Sequence, residues 1–591
     1  FSFCRFYSRR IRRIFPSLIL VMAACLVVGW FVLFAAEYAQ LGKHVAGGAG
    51  FISNFILLNE VGYFDTEAST KPLLHLWSLA VEEQFYLIWP MLLLLGWRLN
   101  VNLLLLVILF SVISFGLAVS TPGDHAAFGF YSPQDRLWEL LIGAALAYLA
   151  VTAGRTFETR QIASQRYTVG IISTLGVALL GLSIFLVRQF NFPGWQALLP
   201  TTGASCVILA GPAAFWNRQL LSTRLLVSIG LISYPLYLWH WPLLSFSRIL
   251  GLDEKPPVIA GLLILSFILS CVTYWFIEKP ARYSSSKQLA TGALIVCMFA
   301  AGLTGYLTSF NGGLPSREIA VLGEFDAAWG HNAVVDYMDK HFYDCELSFI
   351  VTDLKTRKDR DGDIPRCRQS HRGGSYDIAI IGDSHAEHLF IGLAKALPDK
   401  NVLYYEKGFL PFTYNKQFSD IYNFIANDDR IRTVVLGLSS SKADEIRRRD
   451  WYEKYADLPL GSSFVTEMKS TVSFLQQTGK AVLVPDDVPD FDFPPSRCLT
   501  RWFNDVKLLE DPCKEPLSQI EDKKSAWMSA IQTIEPIRGV QILKIERYFC
   551  DAQECSMIHN HKLLFFDTDH LNVDGSEYVA TRLLKDYSAR W

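Results

Sequence analysis

Residues 376–389 read YDIAIIGDSHAEHL, and the break inside this stretch decides how the second half of the chain folds. An apolar run that ends in Gly382-Asp383-Ser384 and passes at once into a helical pattern has the form of a strand, a tight turn and a helix. Gly382 tolerates positive φ, and Asp383 or Ser384 can cap the helix through a side-chain oxygen. The same geometry sets a serine hydroxyl at the carboxyl edge of a sheet, where α/β folds hold ligands and nucleophiles. The turn by itself leaves both readings of Ser384 open.

Around it a rhythm sets in. The runs NVLYYEKG (401–408), IRTVVLGL (431–438), KAVLVP (480–485) and VQILKI (540–545) are rich in β-branched residues and separated by helical-length segments. That pattern predicts a parallel sheet with crossover helices, an α/β sandwich. Near the end of the chain, FFDTDHLNVDGSEYVATRLL (565–584) places Asp567 and His570 three residues apart, just before a helix expected to start near Asn572. Acyl transfer through a serine needs a base to take its proton and a carboxylate to hold the imidazole in its productive tautomer. Ser384, Asp567 and His570 supply those groups, and backbone amides of Ser384 itself and of Gly408 are the candidates for an oxyanion site. Asp569 and His385 read as solvated neighbours of these motifs, and His388 as helix surface. No metal-ligand cluster is evident in the spacing.

The first half has another composition. The chain has 591 residues, is 51% hydrophobic and carries a net charge of −2, but these are averages over unlike halves. Up to about residue 308 apolar runs of bilayer length dominate, at 16–36, 76–96, 100–119, 136–152, 168–187, 195–215, 226–246, 257–277 and 288–308, nine spans in all. The Gly-rich AGGAGFISNFILL (46–58) is shorter and reads as an interfacial or re-entrant piece. With the N-terminus cytoplasmic, fourteen Lys and Arg fall in inside segments and five in outside loops, which sets the orientation and puts the C-terminal domain outside. The six cysteines of that domain, Cys345, Cys367, Cys498, Cys513, Cys550 and Cys555, agree with a disulfide-permissive compartment, and nearest-neighbour pairing is expected. A zinc site is disfavoured by the lack of any CxxC pair. No basic face suggests nucleic acid. The chain opens on Phe1, so a missing or truncated N-terminus is expected.

Charged groups inside apolar spans are functional candidates because lipid makes them costly. Arg10 and Arg13 lie in RFYSRRIRRIFP (5–16), where guanidinium groups suit a phosphate-rich donor or serve only as inside anchors. His75, Glu82 and Glu83 lie in PLLHLWSLAVEEQFYLIWP (72–90); the i to i+7 spacing puts His75 and Glu82 on one helix face as an acid/base relay, or as a buried salt-bridge knot. Tyr234 and His240 lie in SYPLYLWHWPLL (233–244), followed by FIEKPAR (276–282); an aromatic belt explains the Trp and Tyr residues but not the histidine.

These four motifs, in this order, resemble the acyltransferase 3 family of membrane acyltransferases over about residues 1–285. The resemblance implies acyl-CoA as donor, with Arg10 and Arg13 at its site and His75, Glu82 or Glu83 and His240 in the family's other motifs, and transfer of an acyl group, usually acetyl, across the bilayer to an envelope glycan. The family's usual first two helices, with their FDGLR-like entry and downstream histidine, are not in this sequence. Residues 376–591 resemble the SGNH hydrolase-like superfamily, whose first block is Gly-Asp-Ser and whose last is Asp-x-x-His. The third block, Gly-x-Asn-Asp, is replaced by LGLSSSKAD (436–444), which leaves Ser439 or Ser440 as stand-in donors.

The expected architecture is therefore a multi-span α-helical membrane domain (1–285), a last span and linker (286–375), and an extracytoplasmic α/β SGNH-like domain (376–591). The expected protein is an inner-membrane O-acyltransferase with lipid around it, acyl-CoA as donor, no bound cofactor, and an O-antigen, exopolysaccharide or peptidoglycan hydroxyl as acceptor. An extracytoplasmic carbohydrate esterase and an inactive truncated scaffold are the alternatives.

Overall fold

Long apolar runs can satisfy their backbone groups in lipid only as helices, and the first part of the chain forms them. In the computed structural model residues 2–60, 68–120, 126–152, 163–187, 194–252, 256–317, 331–347, 366–373, 375–406, 410–415, 418–441, 463–498, 513–560 and 562–591 are described. The chain divides into two units, Phe1–Val321 and Leu322–Trp591.

The first unit contains α1 (Phe3–Val32), α2 (Ala35–Ala49), α3 (Ser53–Glu60), α4 (Leu76–Arg98), α5 (Leu103–Ser120), α6 (Ala126–Tyr131), α7 (Pro133–Thr152), α8 (Ala163–Leu186), α9 (Leu198–Ala210), α10 (Arg224–Ile249), α11 (Pro256–Thr273), α12 (Lys279–Arg282) and α13 (Lys287–Phe310). Small residues let these helices cross closely, as in other membrane bundles. A Cβ on Gly42 of α2 would meet the Gly305 carbonyl oxygen of α13 at 2.6 Å, and one on Gly176 of α8 would meet the Gly203 carbonyl oxygen of α9 at 2.9 Å. Leu105, Ile184, Phe185 and Phe299 are exposed on the outer surface of their helices.

Every one of the nine expected spans meets a helix, but six stretches among the described residues are long and apolar enough to cross a bilayer. The other three differ for visible reasons. Helix α7 opens on Asp135, Arg136 and Glu139, α9 has only 13 residues, and in α10 two prolines, Tyr, Trp and His dilute the apolar content. The Gly-rich piece at 46–58 is broken between α2 and α3 at Gly50–Ile52, where Phe51 takes a φ of 53°. Arg155, Arg160, Arg188 and Lys255, which entered the orientation count, lie outside the described residues.

In the second unit each of the five predicted runs is a strand. With α14 (His331–His341) first, the order is β1 (Tyr343–Asp344), β2 (Arg366–Gln369), β3 (Ile378–Gly382), α15 (Ser384–Ala396), β4 (Val402–Glu406), α16 (Ser419–Asn427), β5 (Thr433–Gly437), α17 (Phe464–Gln477), β6 (Ala481–Pro485), β7 (Lys514–Pro516), α18 (Leu517–Lys523), α19 (Ser525–Ile534), β8 (Val540–Leu543), β9 (Glu554–Ser556), β10 (Ile558–His559), β11 (Lys562–Leu563) and α20 (Val573–Asp586). The main sheet runs β1-β2-β4-β3-β5-β6-β8; its last five strands are parallel and β1 and β2 are antiparallel edge additions.

The strands look continuously apolar because both sheet faces are covered. Ile378, Ile380, Val435 and Leu483 enter one core with Phe390 and Leu393 of α15 and Val579 and Leu583 of α20. Ala379, Ile381, Val434 and Val482 enter the other with Ile425 of α16, Val472 of α17 and Trp527 of α19. The parallel strands, in chain order, lie 2-1-3-4-5 across the sheet, so the order reverses between β3 and β5 and opens a crevice at their carboxyl ends. The cysteines pair as nearest neighbours, Cys345–Cys367, Cys498–Cys513 and Cys550–Cys555. The first pair extends the β1–β2 ladder by one register position.

Candidate active site

Ser384 is the first residue of α15, directly behind the end of β3 at the crevice. The turn is tight because nothing larger than glycine fits: a Cβ on Gly382 would lie 1.7 Å from the Gly437 carbonyl oxygen of β5. Asp383 caps the helix, with Oδ1 accepting the His385 amide at 2.9 Å and Oδ2 accepting the Ser439 amide at 3.0 Å. Capping therefore falls to Asp383, and the Ser384 hydroxyl is left for other chemistry. The helix N-terminus adds partial positive charge where an oxyanion would form.

The late loop brings the base. Ser384 Oγ and His570 Nε2 are 2.7 Å apart, and the imidazole Nδ1 lies 2.8 Å from Asp567 Oδ2. Asp567 is itself fixed, its Oδ1 accepting the amides of Asp569 at 3.0 Å and His570 at 2.7 Å. Carboxylate on the Nδ1 side means that Nδ1–H donates there and the Nε2 lone pair accepts the serine proton. Burial works against a charged His570, but Asp567 and Asp569 outweigh it and push its pKa up to about 9. The arrangement can deprotonate a serine, hold the resulting imidazolium and return the proton to a leaving group.

Three neighbours differ from the sequence expectation. His385 and His388 are buried, since every residue from Ser384 to Ala394 is enclosed between the sheet and α20. His388 Nδ1 accepts the Leu571 amide at 3.3 Å, and burial together with His385 and His570 holds its pKa well below the usual range. His385 Nδ1 lies 2.6 Å from Asp487 Oδ1, and Asp569 touches both His385 and His570. Asp487 escaped the sequence reading, although its place just after the KAVLVP strand, at the carboxyl edge, was the signal that could have found it.

The amides of Ser439 and Ser440 are not open to an oxyanion. They donate to Asp383 and to Asp487 Oδ2, at 3.0 and 2.7 Å. Gly408 lies outside the described residues. Among the described residues His385, Asp569 and His570 bring possible metal-ligand atoms within 4.8 Å of one another. His385 Nδ1 and both His570 nitrogens already serve Asp487, Asp567 and Ser384, while His385 Nε2 makes no hydrogen bond and lies 3.4 Å from Asp569 Oδ2.

In the first unit the motif residues form two groups. Arg10 of α1 pairs with Glu83 of α4, through Nε at 3.3 Å and a second, closer contact, lies 3.7 Å from Glu82, and stacks over Tyr86 with 3.3 Å to the ring centroid. Arg13 is exposed. His75 is the residue just before α4 and is buried, with its ring 5.0 Å from Tyr237 and 5.8 Å from His240. The His75–Glu82 relay expected from their spacing is thus replaced by His75 beside His240 and Glu82 beside Arg10, because seven residues of helix rise ~10 Å. Tyr234 donates to the Ile14 carbonyl at 3.0 Å and ties α10 to α1. A further cluster, unforeseen, gathers Lys43, His44 and Lys71 on Glu60 at 2.8, 2.9 and 3.1 Å.

Fold and site together define a multi-pass membrane protein joined to a serine-histidine-aspartate α/β domain. Residues 1–275 match the family model described as an acyltransferase domain, and residues 352–585 match the SGNH domain described as fused to AT3 domains. The chain belongs to this acyltransferase 3 family and carries its fused SGNH domain. It is 32% identical over 308 residues to the putative peptidoglycan O-acetyltransferase YrhL of Bacillus subtilis, covering 50% of this chain and 48% of that one. It is 30% identical over 315 residues to the putative membrane-bound transacylase BcsY of Komagataeibacter xylinus, covering 51% and 78%. To the O-acetyltransferase OatA of Staphylococcus aureus it is 28% identical over 299 residues, covering 48% of each chain. The chain thus spans about half the length of YrhL and OatA. Among solved structures, the periplasmic domain of a lipopolysaccharide acetyltransferase of Salmonella ser. Paratyphi A overlaps with a TM-score of 0.31 at 15% identity, over 44% of this chain and 98% of that one.

Proposed function

We propose that this chain is an O-acyltransferase that moves an acyl group, acetyl by family likeness, from acyl-CoA to hydroxyls of a cell-envelope glycan. The membrane unit takes the acyl group from the cytoplasmic face, with the exposed Arg13 and the Glu83-tied Arg10 as its contacts to the donor phosphates. His75 and His240, side by side, are its candidate proton-transfer groups, and Glu82 and Glu83 position Arg10. The second unit works outside the cytoplasmic membrane, as its three disulfides favour.

The observation that carries this reading is the 2.7 Å contact between His570 Nε2 and Ser384 Oγ, with Asp567 on the other nitrogen. Ser384 Oγ attacks the acyl carbonyl and gives its proton to His570 Nε2. The donor's leaving group departs with that proton, and the acyl-serine remains. A glycan hydroxyl then attacks the same carbonyl, its proton passing to His570 and on to Ser384 Oγ as the ester leaves on the sugar. The relatives named as O-acetyltransferases support an acetyl cargo and an envelope acceptor.

An extracytoplasmic esterase would differ only in letting water attack. The test supplies acetyl-CoA and an envelope oligosaccharide to the full chain in membranes and follows the acetyl group. Acetylated sugar, lost in Ser384→Ala, is expected; acetate alone, whatever sugar is offered, would sink the transferase reading.

A further inference from the structure

Carboxylates and imidazoles alternate in a buried row that ends on the nucleophile. Asp487 Oδ1 meets His385 Nδ1 at 2.6 Å, His385 Nε2 meets Asp569 Oδ2 at 3.4 Å, Asp569 Oδ1 meets His570 Nδ1 at 3.0 Å, and His570 Nε2 meets Ser384 Oγ at 2.7 Å. A serine, one base and one carboxylate suffice for acyl transfer, so Asp487, His385 and Asp569 are left unused by the mechanism above. Burying three more ionisable groups is costly unless each is paired. Their support is extensive: Asp487 accepts the Ser440 amide at 2.7 Å and the Val488 amide at 2.8 Å, and buried Lys524 donates to its carbonyl at 3.1 Å. Asp487 also takes a φ of 74°, a left-handed conformation that a non-glycine residue keeps only where its surroundings hold it.

We propose that Asp569 is a second carboxylate partner for His570, able to replace Asp567, and that the His385–Asp487 pair is the positioning device that holds it on Nδ1. This inference rests on the acyl-serine reading. Asp567 is the more exposed of the two, 35% against 19% for the Asp569 side chain. Water therefore competes more for Asp567, and Asp569 keeps the imidazole oriented when that contact loosens.

The charges around the row agree. Burial opposes a charged His385, but Asp487 and Asp569 hold its pKa well above the usual range, so it stands as an imidazolium between two carboxylates. Facing it are the rings of His388 at 5.1 Å and His570 at 4.8 Å, with Asp490 at longer range and Lys524 beside its partner Asp487. His570 is faced by Asp567, Asp569, His385, His388 and Glu387. Asp569 favours the charged form of His570, and the positive His385 disfavours it.

The test uses the full chain in detergent with p-nitrophenyl acetate as acyl donor, and reads kcat/KM against pH together with the thermal midpoint. Ser384→Ala is the first arm: unchanged hydrolysis there would mean that the acyl-serine reading itself has failed, whatever the other arms show. With hydrolysis dependent on Ser384, Asp567→Asn and Asp569→Asn are each expected to lose no more than about tenfold, and the double variant more than about 10³-fold. His385→Gln is expected to lose several-fold alone and about 10²-fold when added to Asp567→Asn, where Asp569 is the remaining carboxylate. Asp487→Asn, matched in size, should repeat this coupling and serves where His385→Gln folds poorly. The acid limb of kcat/KM should move to lower pH in Asp569→Asn, which removes a negative charge beside His570, and to higher pH in His385→Gln, which removes a positive one. The inference is overturned by an Asp567→Asn variant as inactive as the double, by equal fold-losses for Asp487→Asn with and without Asp567, or by an acid limb that stays in place.

Discussion

A Cβ on Gly392 would come within 2.0 Å of the Ser576 carbonyl oxygen. Helix α15, which opens on Ser384, can therefore lie against α20, which follows His570, only while position 392 carries no side chain. The distance between nucleophile and base depends on this crossing well behind the site. Gly392→Ala is expected to destabilise the second unit by about 1–3 kcal/mol through overpacking and to lower activity by displacing Ser384 from His570. Thermal unfolding beside turnover of the full chain checks it; an unchanged midpoint would mean that the helices separate freely there.

Ser384→Ala removes the atom that is 2.7 Å from His570 Nε2. It is expected to reduce acyl transfer by about 10³-fold or more, with the fold intact, because Asp383 and not Ser384 caps α15. Intact-mass measurement after exposure to an activated acetyl ester should show an acetylated wild type and an unmodified variant.

The pH dependence follows from His570, whose pKa is pushed up to about 9 by Asp567 and Asp569 in spite of burial. The base must be neutral, so kcat/KM in the free enzyme is expected to rise with pH until about 9. Stability runs the other way. A pKa raised above the unfolded value of ~6.5 contributes stability that is fully present below that value and is lost as pH rises through the folded one. The gap in thermal midpoint between wild type and His570→Gln should therefore shrink between pH about 6 and about 9.5, and a gap that widens would refute the sign.

In the membrane unit Arg10 and Glu83, both mostly buried, satisfy each other. Arg10→Met would leave a largely buried carboxylate unpaired and is expected to cost about 3–5 kcal/mol, seen as a lower midpoint in detergent. Arg10→Lys keeps the charge but not the stacking on Tyr86 or the fork geometry, and should fall between. Exchanging the pair, Arg10→Glu with Glu83→Arg, should recover part of the loss.

Replacing Cys345 and Cys367 together by alanine opens a link across 22 residues and frees the antiparallel edge strands. About 3 kcal/mol of stability is expected to go, and with a thiol reductant present throughout, which opens all three disulfides, wild type and variant should unfold at the same midpoint.

Much of the second unit could be read because local pattern and final environment agree. Continuous apolar runs become strands buried on both faces, and YDIAIIGDSH becomes a strand, a turn and a capped helix, since Gly382 and Asp383 act within a few residues. Asp-x-x-His was equally legible, because Asp567 fixes its own loop before it meets the ring. The membrane helices followed from length and hydropathy, but their strengths did not, as charges at the start of α7 and aromatics in α10 set them apart.

What the sequence could not yield are the contacts made by folding distant segments onto one another. Nothing near His385 in the chain announces Asp487, 102 residues away, so a buried imidazolium looked like a solvated neighbour of the serine. In the same way i to i+7 spacing suggested a His75–Glu82 pair, and only helix packing assigned Glu82 and Glu83 to Arg10 and His75 to His240. The sequence by itself determined the two halves, the strands and the serine, histidine and aspartate of the candidate site, because period, turn chemistry and hydropathy are local. Tertiary structure alone decided which charges are buried and with whom, because burial and pairing are properties of the packed whole.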